Sequence, residues 1–109
     1  MLHKEIEAVG DGIYRVPIPV PFPMKYVYCY VCQETDGWSL VDVGFRCPEA
    51  MHAWEAAFRQ LGIKPRHVRA IYITHFHPDH FGLAGWMQQQ TEAPIWISEA
   101  DHAMAERVW

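Results

Sequence analysis

Residues 75–80 read His-Phe-His-Pro-Asp-His, three imidazoles and one carboxylate within six positions. His75 and His77 are two apart, so on extended backbone they project to the same side and can hold one ion together. Pro78 then bends the chain, which lets Asp79 and His80 point to a second position nearby. Imidazole nitrogen and carboxylate oxygen both suit zinc, and iron or manganese as well. A polar, solvated loop carries a single histidine for no special reason. Three of them with an aspartate, between the apolar run Ala70-Ile71-Tyr72-Ile73 and a helical stretch with early glycines, read as a metal centre.

The elements that must position this loop are legible around it. Residues 12–20 form a short strand that runs into Pro17, Pro19, Pro21 and Pro23. Prolines at alternate positions oppose regular pairing, so residues 17–24 are expected to be an extended surface loop. Residues 26–34 and 38–44 are two strands, with Asp36-Gly37 as the hairpin turn. Pro48 opens a helix, and Met51, Trp54, Phe58 and Leu61 recur along one stripe of it. Gly62 closes it. Residues 68–74 are a strand that delivers the chain into the histidine loop, which is where mixed α/β folds place their chemistry. Residues 81–90 are expected as one helix, weakened by Gly82 and Gly85. Residues 94–98 are a strand, and Ser98 with Asp101 caps a last helix.

Length and composition bound the rest. A chain of 109 residues is one domain. A net charge of −4 gives no electrostatic footprint for nucleic acid or anionic lipid. The N-terminal stretch lacks the apolar region of a signal peptide, and no apolar run can cross a bilayer, so a cytoplasmic protein is expected. The odd cysteine count does not suggest a disulfide framework. Cys29 and Cys32 lie three apart on a strand and point to opposite faces, so they read as two small apolar residues rather than a metal clip.

The segment Thr-His-Phe-His-Pro-Asp-His-Phe-Gly at residues 74–82 resembles the signature loop of the metallo-β-lactamase superfamily. Leu-Val-Asp-Val-Gly at 40–44 is similar to that family's strand-ending segment with an aspartate. The resemblance implies an α+β fold, one half of an αββα sandwich, with a mixed sheet and helices on one face. It implies that His75 and His77 hold one metal and Asp79 and His80 a second. Asp79 would also be catalytic, orienting or deprotonating the attacking water. Asp42 would support the loop, or else bond only local backbone. The implied activity is metal-dependent hydrolysis by a metal-bound hydroxide, with up to two zinc ions, iron or manganese being possible. The substrate would be a small ester, amide or thioester. His77 favours the hydrolases over diiron oxidoreductases that carry glutamate there, and leaves mononuclear iron dioxygenases as an alternative.

The family's full site also uses a third histidine, a bridging aspartate and a last histidine, all well downstream. Only 29 residues follow His80, with His102 their single histidine. His102, like His3, His52 and His67, reads as a solvated residue. The chain is therefore expected to be an N-terminal half that lacks the complete site and is inactive alone. A non-catalytic metal-binding or structural α/β module is the alternative. The strands at 26–32, 70–73 and 94–97 are apolar on both faces, so the face without helices is expected to drive self-association into a homo-oligomer. Phe22 and Met24 are candidates for a pocket wall, and Phe76 occupies the family's variable position.

Overall fold

A computed structural model of the chain describes residues 5–21, 23, 25–75 and 77–108, and the side chains of all of these except Asp79 and 105–108. His3, Phe22, Met24 and Phe76 lie outside the described residues. Among the described residues six strands form one sheet in sequence order: β1 (Glu7–Gly10), β2 (Ile13–Pro19), β3 (Tyr26–Glu34), β4 (Gly37–Val41), β5 (Val68–Tyr72) and β6 (Ile95–Trp96). The first three pairings are antiparallel. The last two are parallel, and parallel neighbours need crossover connections, here helical. α1 (Pro48–Leu61) joins β4 to β5, and α2 (Pro78–Phe81) with α3 (Ala84–Thr91) joins β5 to β6. α4 (Glu99–Val108) follows the sheet.

Local chemistry sets the ends of these elements. Pro48 stands at the start of α1, and Gly62 ends it in the left-handed conformation, donating its N–H back to the last turn. Trp54 and Phe58 on the α1 stripe are buried, while Met51 and Leu61 are half-buried at its margin. Before α4, the Ser98 hydroxyl accepts the Asp101 N–H at 3.2 Å and donates to the Asp101 carboxylate at 2.6 Å. This is the expected capping pair, with the carboxylate taking the hydroxyl rather than the Ser98 N–H.

Three expectations change. Pro17 and Pro19 do not break the strand: β2 pairs with β3 through Pro17 opposite Tyr28 and Pro19 opposite Tyr26. Residues two apart point their N–H the same way, so both prolines lose donors toward one edge only. Among the described residues β1 pairs with β2 no further than Arg15, so neither proline falls where β1 would need its N–H. The second change is β1 itself, an added edge strand turned back by Asp11-Gly12, with Gly12 at φ 68°. The third is the helix expected over 81–90, which is two helices, α2 and α3, broken at Gly82-Leu83. The hairpin between β3 and β4 forms, with its loop one residue earlier than expected, at Thr35-Asp36, because Gly37 already pairs with Glu34.

The sheet has two unlike faces. On the inner one, Val31, Leu40 and Ile71 lie side by side through β3–β5 and are fully buried with Trp54 of α1 and Met87 of α3 in one core. On the outer one, register aligns Glu7, Arg15, Tyr30, Val41, Tyr72 and Trp96 in a row across all six strands. Glu7 and Arg15 pair at 2.8 Å at one end. At the other, Tyr72 is 43 % exposed and Trp96 58 %. The two-faced apolar pattern thus becomes one dry face and one that meets water.

Candidate metal centre

The site grows from two adjacent parallel strands. Val41 of β4 lies opposite Tyr72 of β5, so both chains leave the sheet at the same carboxyl end. Asp42 first continues the ladder, donating its N–H to the Tyr72 carbonyl at 2.8 Å. It then turns with φ 64°, a left-handed conformation that aspartate tolerates better than most residues. That turn keeps the carboxylate inside, 5 % exposed, facing the loop that follows β5.

The Asp42 carboxylate gathers the loop. Its Oδ1 accepts the Thr74 N–H at 2.8 Å. Thr74 Oγ1 lies 3.0 Å from Oδ1 and 2.8 Å from Oδ2. Nδ1 of His80 lies 2.8 Å from Oδ2. Of the two roles open to Asp42, loop support or local backbone bonding, its side-chain partners belong to the first. Thr74 Oγ1 in turn lies 2.9 Å from Nδ1 of His75.

These bonds bring the imidazoles together. The His75 and His80 rings are 3.9 Å apart between centroids, and His77 meets His75 edge-on at 4.8 Å. The backbone is fastened behind them. The Val43 N–H donates to the His80 carbonyl at 3.0 Å, and the Leu83 N–H to the Gly44 carbonyl at 3.0 Å. Such close approach needs glycine at 82, where a Cβ would sit 2.6 Å from the Pro78 carbonyl oxygen and 2.9 Å from the Arg46 nitrogen. Trp54 Nε1 donates to the Val43 carbonyl at 2.8 Å, tying the β4–α1 connection to the core.

Three of the four expected ligands, His75, His77 and His80, therefore share one turn. Asp79 stands in α2 between Pro78 and His80, with its side chain outside the described residues. Among the described residues no three of His, Cys, Asp or Glu are arranged to hold a metal ion. The donor chemistry nonetheless fits a cation. A neutral imidazole that donates through Nδ1 to a carboxylate keeps its lone pair on Nε2, the usual state of a metal-ligating histidine. His52, His67 and His102 are exposed on α1, the turn Pro65–His67 and α4. Cys29 is buried on the inner face, while Cys32 points outward. Burial and then the Glu34 charge push the Cys32 thiol up, against a hydrogen bond with Ser39 that lowers it. Sequence reasoning missed Thr74. The available signal was a hydroxyl residue next to the first histidine.

A family model described as the metallo-beta-lactamase superfamily matches residues 23–109, including Asp42 and the whole histidine loop. The chain belongs to that superfamily. Superfamily structures superpose closely on it. A metallo-beta-lactamase family protein of Thermus thermophilus aligns with TM-score 0.85 and 34 % identity over 94 % of this chain and 34 % of its own. A beta-lactamase domain protein of Burkholderia ambifaria gives 0.82 and 26 % over 94 % of this chain and 33 % of its own. A subclass B3 metallo-beta-lactamase from a soil metagenome gives 0.77 and 26 % over 93 % and 35 %. The chain spans about a third of the length of these proteins. No curated protein matches it. The mixed sheet and its helices are those of the superfamily fold, as expected from the sequence. No helix among the described residues is long and apolar enough to cross a membrane.

Proposed function

We propose that this domain carries part of the site of a metal-dependent hydrolase, with His75, His77, Asp79 and His80 as metal ligands. One observation carries the reading: three imidazoles packed within 3.9–4.8 Å at the carboxyl end of β5, fixed there by a buried carboxylate. Zinc suits these donors best, up to two ions in a complete site, with iron or manganese as alternatives. The metal, when bound, supplies a water acidic enough to act as hydroxide near neutral pH. His75 and His77 would serve one position and His80 with Asp79 the other. Asp79 would also accept the proton of the attacking water, and Asp42 would hold His80 in orientation.

In this reading the 109 residues are one domain, one half of the αββα sandwich, and the other half supplies the second sheet and the remaining ligands. A catalytic zinc normally takes three protein ligands and a water, whereas each position here has two. The domain alone is therefore expected to bind a divalent ion weakly and to turn over nothing. The substrate of the completed enzyme is a small ester, amide or thioester. The net charge of −4 speaks against nucleic acid, and an odd cysteine count that suggests no disulfide framework suits a cytoplasmic location. Metal analysis of the purified chain with and without added zinc tests the ligand reading. Turnover of generic ester, lactam and phosphodiester substrates tests the rest. Zinc uptake without turnover is expected, and no uptake at millimolar zinc would contradict the reading.

The exposed outer row supports self-association of the domain, two copies packing sheet on sheet. A twofold axis along the strands would lay each Arg15 over the partner's aromatic end. Arg15 already makes a contact of that kind, with Tyr28 at 4.9 Å. Sedimentation at micromolar concentration is expected to show dimer or larger species. Trp96→Lys combined with Tyr72→Lys should return the chain to monomer, since both side chains lie on that exposed face. A monodisperse wild-type monomer would contradict this.

A further inference from the structure

We propose that Thr74 is a positioning residue whose hydroxyl extends the hold of Asp42 to His75, so that one buried carboxylate sets the tautomer of two imidazoles. The inference deepens the metal reading above and rests on it for its consequence, though not for its geometry. A carboxylate offers acceptors only, and a threonine hydroxyl has one proton. Thr74 Oγ1 lies 2.8 Å and 3.0 Å from the two Asp42 oxygens, so its proton must go to one of them. Pointed elsewhere, its lone pairs would face two anionic oxygens at bonding distance.

With the proton spent, Oγ1 presents only lone pairs to His75, whose Nδ1 is 2.9 Å away. That contact is a hydrogen bond only if His75 Nδ1 carries a proton and donates it. The neutral ring then has its lone pair on Nε2. His80 reaches the same state directly, because its Nδ1 lies 2.8 Å from Asp42 Oδ2. The two rings belong to the two proposed metal positions, and the Asp42 carboxylate is common to both chains of bonds. Asp42 is 5 % exposed, so the network is anchored at a sheltered carboxylate, where hydrogen bonds are firmer than in water, while Thr74 and its bond to His75 lie toward solvent. Partners of this kind fix which nitrogen of a ligating histidine faces the metal.

The test separates the relay from the metal. Long-range ¹⁵N–¹H correlation spectra of the metal-free chain, at a pH where imidazoles are neutral, should show both His75 and His80 as the Nδ1–H tautomer. Thr74→Val keeps the shape and the backbone N–H bond to Asp42 but removes the hydroxyl. In it His75 should move toward the Nε2–H form that unconstrained imidazole favours, with His80 unchanged. Zinc affinity should fall by about 10–100-fold. Thr74→Ser should restore tautomer and affinity. A wild-type His75 in the Nε2–H form overturns the proposal, as does a valine variant that keeps tautomer and affinity, or a serine variant that behaves like valine. If valine fails to fold, the wild-type and serine spectra still decide. Wild-type tautomers as proposed, with no zinc uptake, would leave the relay standing and remove the metal reading.

Discussion

Asp42→Asn should lower zinc affinity by about 10–100-fold and destabilise the metal-free domain by about 1–3 kcal/mol. The backbone has no reason to object, because asparagine accepts the left-handed conformation found at this position, φ 64°. The side chain does. Three donors converge on the carboxylate: the Thr74 N–H, the Thr74 hydroxyl and His80 Nδ1. Asparagine offers one oxygen and places an NH₂ where the second oxygen stood. Whichever way the amide turns, a donor meets a donor near 2.8 Å at a side chain that is itself buried. If the NH₂ faces His80, the ring must invert its tautomer, and Nε2 then carries the proton instead of the lone pair. Zinc titration and urea unfolding of the metal-free chain measure the two effects. A variant with unchanged affinity and unchanged midpoint would show that the carboxylate organises nothing.

The second large effect lies in the core. Trp54→Ala should cost about 3–5 kcal/mol, the range for truncating a fully buried aromatic, which is most of the stability a small domain has. The ring is completely buried, packs against Phe58 at 5.7 Å between centroids, and donates Nε1–H to the Val43 carbonyl. Loss of cooperative unfolding by circular dichroism is the expected result. Trp54→Phe separates packing from hydrogen bonding. It fills most of the volume but leaves the Val43 carbonyl unpaired, for about 1–3 kcal/mol. Because Val43 follows Asp42, faster amide exchange at residues 42–46 should accompany that loss. An alanine variant with a wild-type unfolding curve would mean that the core is not organised around this residue.

Sequence patterns revealed what depends on neighbours along the chain. The stripe of α1, its proline start and its glycine end are properties of one helix, and so is the Ser98–Asp101 cap. The alternation in β3 was readable because Val27, Cys29 and Val31 face one way and Tyr28, Tyr30 and Cys32 the other. Features set by a neighbouring strand were harder to read. Whether proline breaks a strand depends on which edge its missing donor faces, and that follows from where β1 stops. The break between α2 and α3 falls where the Leu83 N–H bonds to the Gly44 carbonyl, 39 positions away along the chain. The cluster of histidines was plain, and its support was only partly so. Asp42 stood out through the resemblance of its segment. Thr74 acquired a role only when parallel pairing of β4 and β5 brought it beside that carboxylate. The outer face shows the same limit: the sequence demanded cover for it, and pairing register arranged it as one row from Glu7 to Trp96.

The central claim is that the turn after β5 binds a divalent cation through its imidazoles. Zinc titration followed through the histidine ring resonances of the wild-type chain tests it most directly, because it registers weak binding and names the residues involved. The rings of His75, His77 and His80 are expected to shift together in the micromolar to millimolar range, with His52, His67 and His102 unmoved. His75→Ala should abolish the shared response. If zinc leaves the three rings of the turn unshifted, or acts first on the exposed histidines, this is not a metal centre.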